Sequence, residues 1–147
     1  AVFESRFQEA LSLFFDNVSV SVSAVTDFKI VLTLNDSPTP FASFSESEQL
    51  LVAVAAQHAI AKIAGAGILF VDAVDILQGE LRTRFVRGLY AIAEGYETVV
   101  VASTIGTVDI RESPLLRVPD TRVFIVGEAS VPDGEVYGYP GCVSVMS

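Results

Sequence analysis

The residues of this chain that could carry chemistry are hydroxyls and carboxylates at the ends of predicted secondary-structure elements. Ser45 and Glu48 open a long apolar stretch and fit the Ser-x-x-Glu capping box of a helix start. The unpaired amides and partial positive charge of a helix N-terminus can hold an anion such as a phosphate. Asp72 directly follows the apolar run 68–71, so its carboxylate stands at a strand end. This order of capped helix, glycine break and carboxylate-ended strand is the most informative pattern in the sequence.

Three common kinds of site are not encoded in the sequence. No Gly-x-x-x-x-Gly-Lys-Ser/Thr loop occurs, so a cradle for a nucleotide's phosphates is missing. Gly65 and Gly67 lack the third glycine of a dinucleotide-binding fingerprint. The single cysteine, Cys142, and the single histidine, His58, argue against a zinc site with the usual ligands. The sequence therefore predicts none of these three kinds of site on its own.

Composition and charge narrow the class of protein further. The chain has 147 residues, 51% of them hydrophobic, which fits one folded α/β domain with a real core. Its net charge of −9 opposes binding to a phosphate backbone, and Arg82, Arg84 and Arg87 fit a solvated helix face. A lone cysteine and the lack of a basic-then-apolar leader suit a reducing, cytoplasmic location. The apolar stretches are too short to predict a membrane span.

The N-terminal part of the sequence predicts a helix followed by an antiparallel hairpin. Apolar residues at helical spacing indicate a helix from about Val2 to Phe15. Period-two alternation then indicates strands at 18–23 and 28–34, joined by a short link around Asp27. Two prolines and three turn-forming residues make 35–40 a loop that cannot sustain a strand ladder.

The helix that Ser45 caps is the longest element predicted from the sequence. It runs to about Ala64 and stops at Gly65, a residue suited to a left-handed helix end. Its many alanines allow close packing against a sheet. The apolar run 68–71 that follows is typical of a strand buried on both faces.

A second helix and strand complete a predicted βαβ unit. The helix covers 78–94, and another buried strand covers 98–102. Strand, helix and strand in this order predict parallel pairing between about residues 67 and 103. The tail from 122 to 145 predicts two or three strands with a turn at 132–134.

The segment from Phe44 to Ser103 resembles the C-terminal lobe of an ABC-type ATPase head. The nearest branch is that of the structural-maintenance-of-chromosomes (SMC) and double-strand-break-repair ATPases. A Leu-Ser-Gly-Gly-Glu signature opens a helix in that family. Phe-Ser-Glu-Ser-Glu at 44–48 stands in its place, where the first serine and the last glutamate match while Glu46 and Ser47 replace the glycines.

The later elements follow the same family order. Residues 68–73 correspond to a family strand that ends in Asp-Glu. Residues 74–78 correspond to the dimer-contact loop. Residues 99–104 correspond to the strand that ends in the switch histidine. The resemblance implies an α/β fold: a P-loop NTPase-like C-terminal lobe with a parallel βαβ core and flanking antiparallel strands. It makes residues 1–147 one domain, the C-terminal half of a head whose N-terminal lobe carries the phosphate loop.

The resemblance also implies a role for each matching residue. Ser45, at the helix start, would donate its hydroxyl to the γ-phosphate of ATP bound to the other head. Asp72 would order the shell of a magnesium ion in a site shared with a partner lobe. The further nucleotide-contacting residues that it implies are Ser47, Glu48 and Gln78, the last replacing the aspartate usual at the end of the dimer-contact loop.

Departures from the family pattern concern hydrolysis. The residue after the strand-end aspartate is normally a glutamate that polarises the attacking water; here it is Ala73, which cannot act as a base. The switch position is Thr104, which can hydrogen-bond a phosphate but carries no proton to transfer at neutral pH. Glu46 would oppose a nearby triphosphate. Asp75 is the nearest carboxylate that could replace the missing base.

Three functional hypotheses follow. The first is a lobe of an SMC-like head that acts in DNA repair or chromosome maintenance. It would bind and hydrolyse ATP with Mg²⁺ in a head–head homodimer and reach DNA only through the full assembly. The alternative, favoured by Ala73, is a structural or regulatory dimerisation module that no longer hydrolyses ATP. A stand-alone phosphoacceptor domain ranks last, because 18–24 offers no acidic cluster near an N-terminal strand.

Overall fold

A computed structural model of the chain describes residues 2–23, 28–72, 74–102, 123–126 and 143–146. The backbone groups into two compact units, Ala1–Ser103 and Thr104–Ser147. None of the helices in these described segments is long and apolar enough to cross a membrane. The first unit contains every predicted site residue except Thr104.

The first helix, α1, spans Val2–Leu11 and buries one apolar face. It ends before Phe15, the end that the apolar spacing predicts, because the chain turns after Leu11. The Ser12 hydroxyl donates to the carbonyl of Gln8 (2.9 Å). Serine side chains that bond nearby backbone groups in this way compete with regular helix. Phe14 nevertheless stays buried, so the turn still contributes to the core.

The predicted antiparallel hairpin is confirmed. Strand β1, Val18–Ser23, pairs with strand β2, Lys29–Leu34, and Val20 lies opposite Leu32. Helix α1 covers the outer edge of β1, where the N–H of Val20 donates to Gln8 Oε1 (2.9 Å). An uncovered edge strand presents unpaired amides, so this contact stabilises the hairpin against α1.

A two-residue strand interrupts the predicted loop at 35–40. Strand β3, Ser37–Pro38, pairs with the end of β2. Asn35 and Asp36 have φ values of 49° and 62°, which suit a tight two-residue hairpin turn. The proline lies on an edge strand, where its missing amide removes no ladder hydrogen bond. The prediction that this segment cannot form a ladder was therefore wrong at these two residues.

Helix α2 spans Glu46–Ala64, close to its predicted bounds. Gly65 ends it with a φ of 67°, the left-handed conformation that glycine adopts without a Cβ clash. The buried face of α2 consists of small and branched apolar residues: Leu51, Val52, Val54, Ala55 and Ala59. This face lets α1 approach closely, so the two helices form the main packing contact of the first unit.

The predicted parallel βαβ unit is also confirmed. Strand β4 spans Ile68–Val71, helix α3 spans Gly79–Ala93, and strand β5 spans Thr98–Val101. The two strands pair in parallel, with Leu69 opposite Val99. The end of β4 and the start of α3 are close together in sequence, and three predicted site residues, Asp72, Asp75 and Gln78, lie between them.

One face of the β4–β5 sheet carries exposed apolar side chains within the part of the chain that the structure describes. In β4, Leu69 is 1% exposed, whereas Ile68 is 49% and Phe70 is 60% exposed. Val100, which lies opposite Phe70 on β5, is 39% exposed. Side chains along a strand alternate between the two faces of its sheet, so an apolar run places every second side chain on the open face. The prediction that β4 and β5 are buried on both faces was therefore wrong for the described lobe.

The second unit contributes two described strands. Strand β6, Val123–Val126, and strand β7, Val143–Met146, pair in parallel, with Phe124 opposite Ser144. They confirm the prediction of strands in the tail of the chain. The turn predicted at 132–134 lies outside the described residues.

Candidate functional site

The start of α2 is closed by a complete capping box. Ser45 Oγ accepts a hydrogen bond from the N–H of Glu48 (3.3 Å), and the Ser45 N–H donates to Glu48 Oε2 (2.8 Å). The Ser45 hydroxyl donates to the same carboxylate oxygen at 2.8 Å. Phe44, just before the cap, is buried, and Gln49 Nε2 donates to its carbonyl (2.8 Å). These contacts confirm the predicted cap and explain why the helix begins where it does.

The same cap constrains what the Ser45 hydroxyl can offer to an anion. Its proton is directed at Glu48 Oε2, so a phosphate at this helix start would compete with that carboxylate. Glu46 and Glu48 both lie in the first turn of α2. Their negative charges offset the positive end of the helix dipole, so the helix start attracts a phosphate less strongly. The helix start thus has hydrogen-bond donors for an anion, and the Glu48 carboxylate already accepts from two of them.

A hydrogen bond that no sequence pattern reveals joins the start of α2 to a distant loop. Ser47 Oγ donates to the carbonyl of Ile76 at 2.8 Å, in a partly buried position. Ile76 ends a short 3-10 helix, Val74–Ile76, and the next residue, Leu77, is buried. The partners lie 29 positions apart, so a rule based on local spacing cannot find them. This contact brings the predicted phosphate-contacting helix and the predicted dimer-contact loop together.

Three predicted site residues lie along the segment from β4 to α3. Asp72 follows β4 directly and Asp75 lies in the 3-10 helix, both with exposed side chains. Gln78 is the N-cap residue of α3, and its exposed side chain makes no capping hydrogen bond in the described structure. The hydrogen bond from Ser47 fastens the middle of this segment to α2. The structure therefore places Asp75 and Gln78 on either side of that contact, with Asp72 at the strand end.

Two other positions in the predicted site, Ala73 and Thr104, lie outside the described residues. Their roles stay predictions. Among the residues that the structure does describe, no group of three or more histidine, cysteine, aspartate or glutamate side chains is placed to hold a metal ion. Within this part of the chain Asp72 would supply one oxygen ligand, which fits an ion that also takes ligands from phosphates or a partner lobe.

Comparison with known proteins gives a consistent answer at the level of fold. No protein-family model matches the sequence, and no curated protein does. The SMC head domain from Thermotoga maritima matches with a TM-score of 0.55 and 20% identity over 70% of this chain and 38% of that chain. A Pyrococcus yayanosii Smc head with a coiled coil and joint matches with a TM-score of 0.57 and 15% identity, covering 69% and 21% respectively. A third match is a structure described as the structural biochemistry of ATP-driven dimerization and DNA stimulated activation of SMC ATPases. It has a TM-score of 0.59 and 17% identity, over 77% of this chain and 73% of that chain.

The chain has the fold of part of an SMC head. It spans well under half of the Thermotoga and Pyrococcus chains that it matches, 38% and 21%. Because these identities are low, the likeness shows the fold alone, and the activity of a whole head is a proposal for this chain.

Arg84 ties two parts of this SMC-like lobe together. Its guanidinium pairs with Asp16 (2.9 Å) and Glu80 (2.7 Å), and it donates to the carbonyl of Phe14 (3.4 Å). Hydrogen bonds to Glu80 and then Asp16 raise the pKa of the guanidinium above its ordinary value. The predicted solvated arginine face therefore does not describe Arg84, whose charge joins α3 to the turn after α1.

The single histidine of the SMC-like lobe is part of a packed aromatic contact. His58 Nδ1 lies 2.7 Å from the Tyr96 hydroxyl, and the two rings meet edge-on with their centroids 5.5 Å apart. Burial lowers the pKa of His58, the charges of Lys62 and Arg6 lower it further, and Glu9 opposes the shift. A neutral imidazole nitrogen can accept a hydrogen bond from the Tyr96 hydroxyl in this geometry. His58 thus joins α2 to the residues before β5, and this tyrosine partner is not apparent from the sequence.

Proposed function

We propose that this chain is the lobe of an SMC-like ATPase head that supplies the signature helix and the metal-ordering strand to a composite ATP site. The observation that carries the proposal is the capped start of α2 beside the segment 74–78 within an SMC-head fold. A second lobe, which carries the phosphate loop, would supply the remaining contacts to ATP and Mg²⁺. The assembled heads would act in DNA repair or chromosome maintenance, and DNA would be reached through the whole assembly.

Each predicted site residue has a role in this proposal. Ser45 and the first-turn amides of α2 contact the γ-phosphate of ATP that is held by the opposite head. The Ser45 hydroxyl is released from Glu48 as the phosphate arrives, and Ser47 and Glu48 line the same helix start. Asp72 orders the water shell of the magnesium ion, and Gln78 contacts the opposite head beside the nucleotide. Mg²⁺ supplies charge that offsets the carboxylates at this helix start.

The open face of the β4–β5 sheet supports the existence of a partner lobe. Ile68, Phe70 and Val100 lie on this face with their side chains substantially exposed. Contiguous apolar surface of this kind marks an interaction site more often than a free surface. A lobe that packs on this face would bury these apolar side chains.

Two candidate functions differ in whether the assembled site hydrolyses ATP. Ala73 cannot polarise an attacking water, and Thr104 cannot act as a general acid or base at neutral pH. In the first candidate function, Asp75 orients the water from the segment that Ser47 holds. In the second, the lobe binds ATP only as a contact between heads and serves as a regulatory dimerisation module. Ala73 is the residue that favours the second candidate.

The experiment that tests the composite site compares two substitutions of the same cap. Ser45→Asn and Ser45→Asp both keep a good N-cap residue, and they differ by one negative charge. We expect the wild-type chain alone to bind no Mg-ATP by calorimetry, and to associate with a phosphate-loop lobe only when Mg-ATP is present. Ser45→Asp should weaken that association by at least about tenfold relative to Ser45→Asn, because its charge repels the phosphate. Sedimentation velocity measures the association, and equal affinity of the two variants contradicts a phosphate contact at position 45.

A further inference from the structure

Ser47 makes a contact that the family pattern does not include. The family signature has glycine at the corresponding position, and a glycine has no side chain that could donate a hydrogen bond. In this chain the Ser47 hydroxyl donates to the carbonyl of Ile76 at 2.8 Å, across 29 positions of sequence. The substitution of serine for glycine therefore adds a link between two elements of the site.

We propose that Ser47 is a positioning residue that holds the segment 75–78 against the start of α2. Its consequence at the nucleotide site rests on the proposed function. There the link makes the γ-phosphate-contacting helix and the dimer-contact loop move as one body. A nucleotide contact at Ser45 is then transmitted directly to Asp75 and Gln78.

The surroundings of the bond show why one hydroxyl can have this effect. The carbonyl of Ile76 receives the hydrogen bond, and the adjacent Leu77 is buried with 2% exposure. The backbone is thus held at two consecutive residues, one by a polar contact and one by apolar packing. Asp75 and Gln78 flank these two residues with exposed side chains, so the direction of both side chains depends on the same anchor.

The segment is followed by a glycine in the left-handed region. Gly79, the first residue of α3, has a φ of 54°, and no atom lies within 4 Å of the position that a Cβ would take there. Glycine restricts the backbone less than other residues do, so contacts such as the Ser47 bond have to fix this segment. A partly buried hydroxyl-to-carbonyl bond is strong enough to select one position of such a segment, and its loss leaves the Ile76 carbonyl without that donor.

Hydrogen exchange of the full chain tests the link without any nucleotide. In Ser47→Ala, we expect the amides of residues 74–78 to exchange about fivefold faster, since one net hydrogen bond is removed from a local opening. Ser47→Thr keeps a hydroxyl at the same position and should restore slow exchange. The matched control is Ser12→Ala, which removes a hydroxyl-to-carbonyl bond of 2.9 Å elsewhere in the lobe.

The pattern of exchange decides whether Ser47 positions this segment. Faster exchange at 74–78 in Ser47→Ala alone, with the melting temperature little changed, supports the proposal. Unchanged exchange there overturns it, and so does an equal increase throughout α2, because that would show only a weaker helix.

Association with a phosphate-loop lobe in Mg-ATP then tests the consequence separately. We expect Ser47→Ala to weaken the association several-fold and Ser47→Thr to keep it. If the wild-type chain fails to associate, the proposed function fails while the exchange result still decides the link. If Ser47→Ala loosens 74–78 but associates as tightly as the wild type, the coupling of the two elements is wrong.

Discussion

The ring of Phe14 fills the space beside the α-carbon of Gly88. A Cβ placed on Gly88 would lie 2.4 Å from Phe14 Cε1 and 2.7 Å from Cδ1. Phe14 is 1% exposed and stacks on Phe85, with ring centroids 6.4 Å apart. Its ring therefore cannot move away from an added Cβ without displacing other core side chains. Gly88 is therefore the residue of α3 that lets this helix approach the turn after α1.

This contact predicts the effect of Gly88→Ala. In an open helix interior the change stabilises by up to about 1 kcal/mol, because alanine has the higher helix propensity. Here we expect a loss of about 1–3 kcal/mol in the free energy of unfolding, because the core becomes overpacked. Urea denaturation measures the loss. The double variant Phe14→Leu/Gly88→Ala should cost less than the sum of the two single changes, and a stabilised Gly88→Ala contradicts the packing argument.

The left-handed end of α2 predicts the effect of Gly65→Ala. Gly65 has a φ of 67° with nothing within 4 Å of its Cβ position, so the cost comes from backbone conformation alone. We expect a loss of about 1 kcal/mol in the free energy of unfolding. Gly65→Asn is the matched control, because asparagine tolerates this conformation and should cost less. Equal losses for the two variants, measured by urea denaturation, would count against a conformational cause.

The depressed pKa of His58 predicts a pH dependence of stability. Burial, Lys62 and Arg6 lower the pKa of His58 in the folded lobe, and Glu9 only partly opposes them. Below the ordinary value of about 6.5 the unfolded chain therefore binds more protons than the folded one at this residue. The contribution of His58 is complete above that pH and is lost as the pH falls toward the folded pKa.

The comparison with His58→Gln isolates this dependence from other groups that titrate in acid. Glutamine cannot be protonated in this range and still offers polar atoms to Tyr96. We expect the wild type to lose stability relative to His58→Gln as the pH falls below about 6.5, measured by urea denaturation at each pH. Parallel stability curves for the two proteins would show that the His58 pKa is the same in the folded and unfolded chains.

Ala73→Glu tests whether the missing water-polarising glutamate limits ATP hydrolysis. In a head assembled with a phosphate-loop lobe, a glutamate at this position could polarise the attacking water. We expect phosphate release from Mg-ATP to accelerate by at least about tenfold, since general bases contribute more than this in many enzymes. Ala73→Gln is the control, because it has nearly the same size but is a poor base. No acceleration with Ala73→Glu, while ATP-dependent association is intact, would count against the argument that the missing water-polarising glutamate limits hydrolysis.

Local signals in the sequence predicted much of the first unit. The Ser45–Glu48 capping box and the Gly65 helix end depend on residues that are close in sequence, so α2 has nearly the predicted bounds. The alternating valines of β1 predicted its hairpin with β2. The order of strand, helix and strand predicted the parallel pairing of β4 and β5.

The errors arose where side chains from distant segments decide the outcome. The apolar run in β4 has the composition of a doubly buried strand, yet Phe70 is 60% exposed. Burial of a strand face depends on what packs over it, and composition carries no information about that. Arg84 fitted a solvated face in the sequence, but Asp16 approaches it from the turn after α1.

The same distinction between local signals and distant contacts applies to the candidate site. The sequence by itself determined which residues could serve: a hydroxyl at a helix start, and carboxylates and an amide after a strand, because these depend on local elements. Only the tertiary structure decided that Ser47 reaches the carbonyl of Ile76 and that the Ser45 proton is directed at Glu48. The first contact crosses 29 positions of sequence and forms only when α2 and the 3-10 helix are packed together, because a hydrogen bond requires its donor and acceptor atoms to lie within about 3.5 Å.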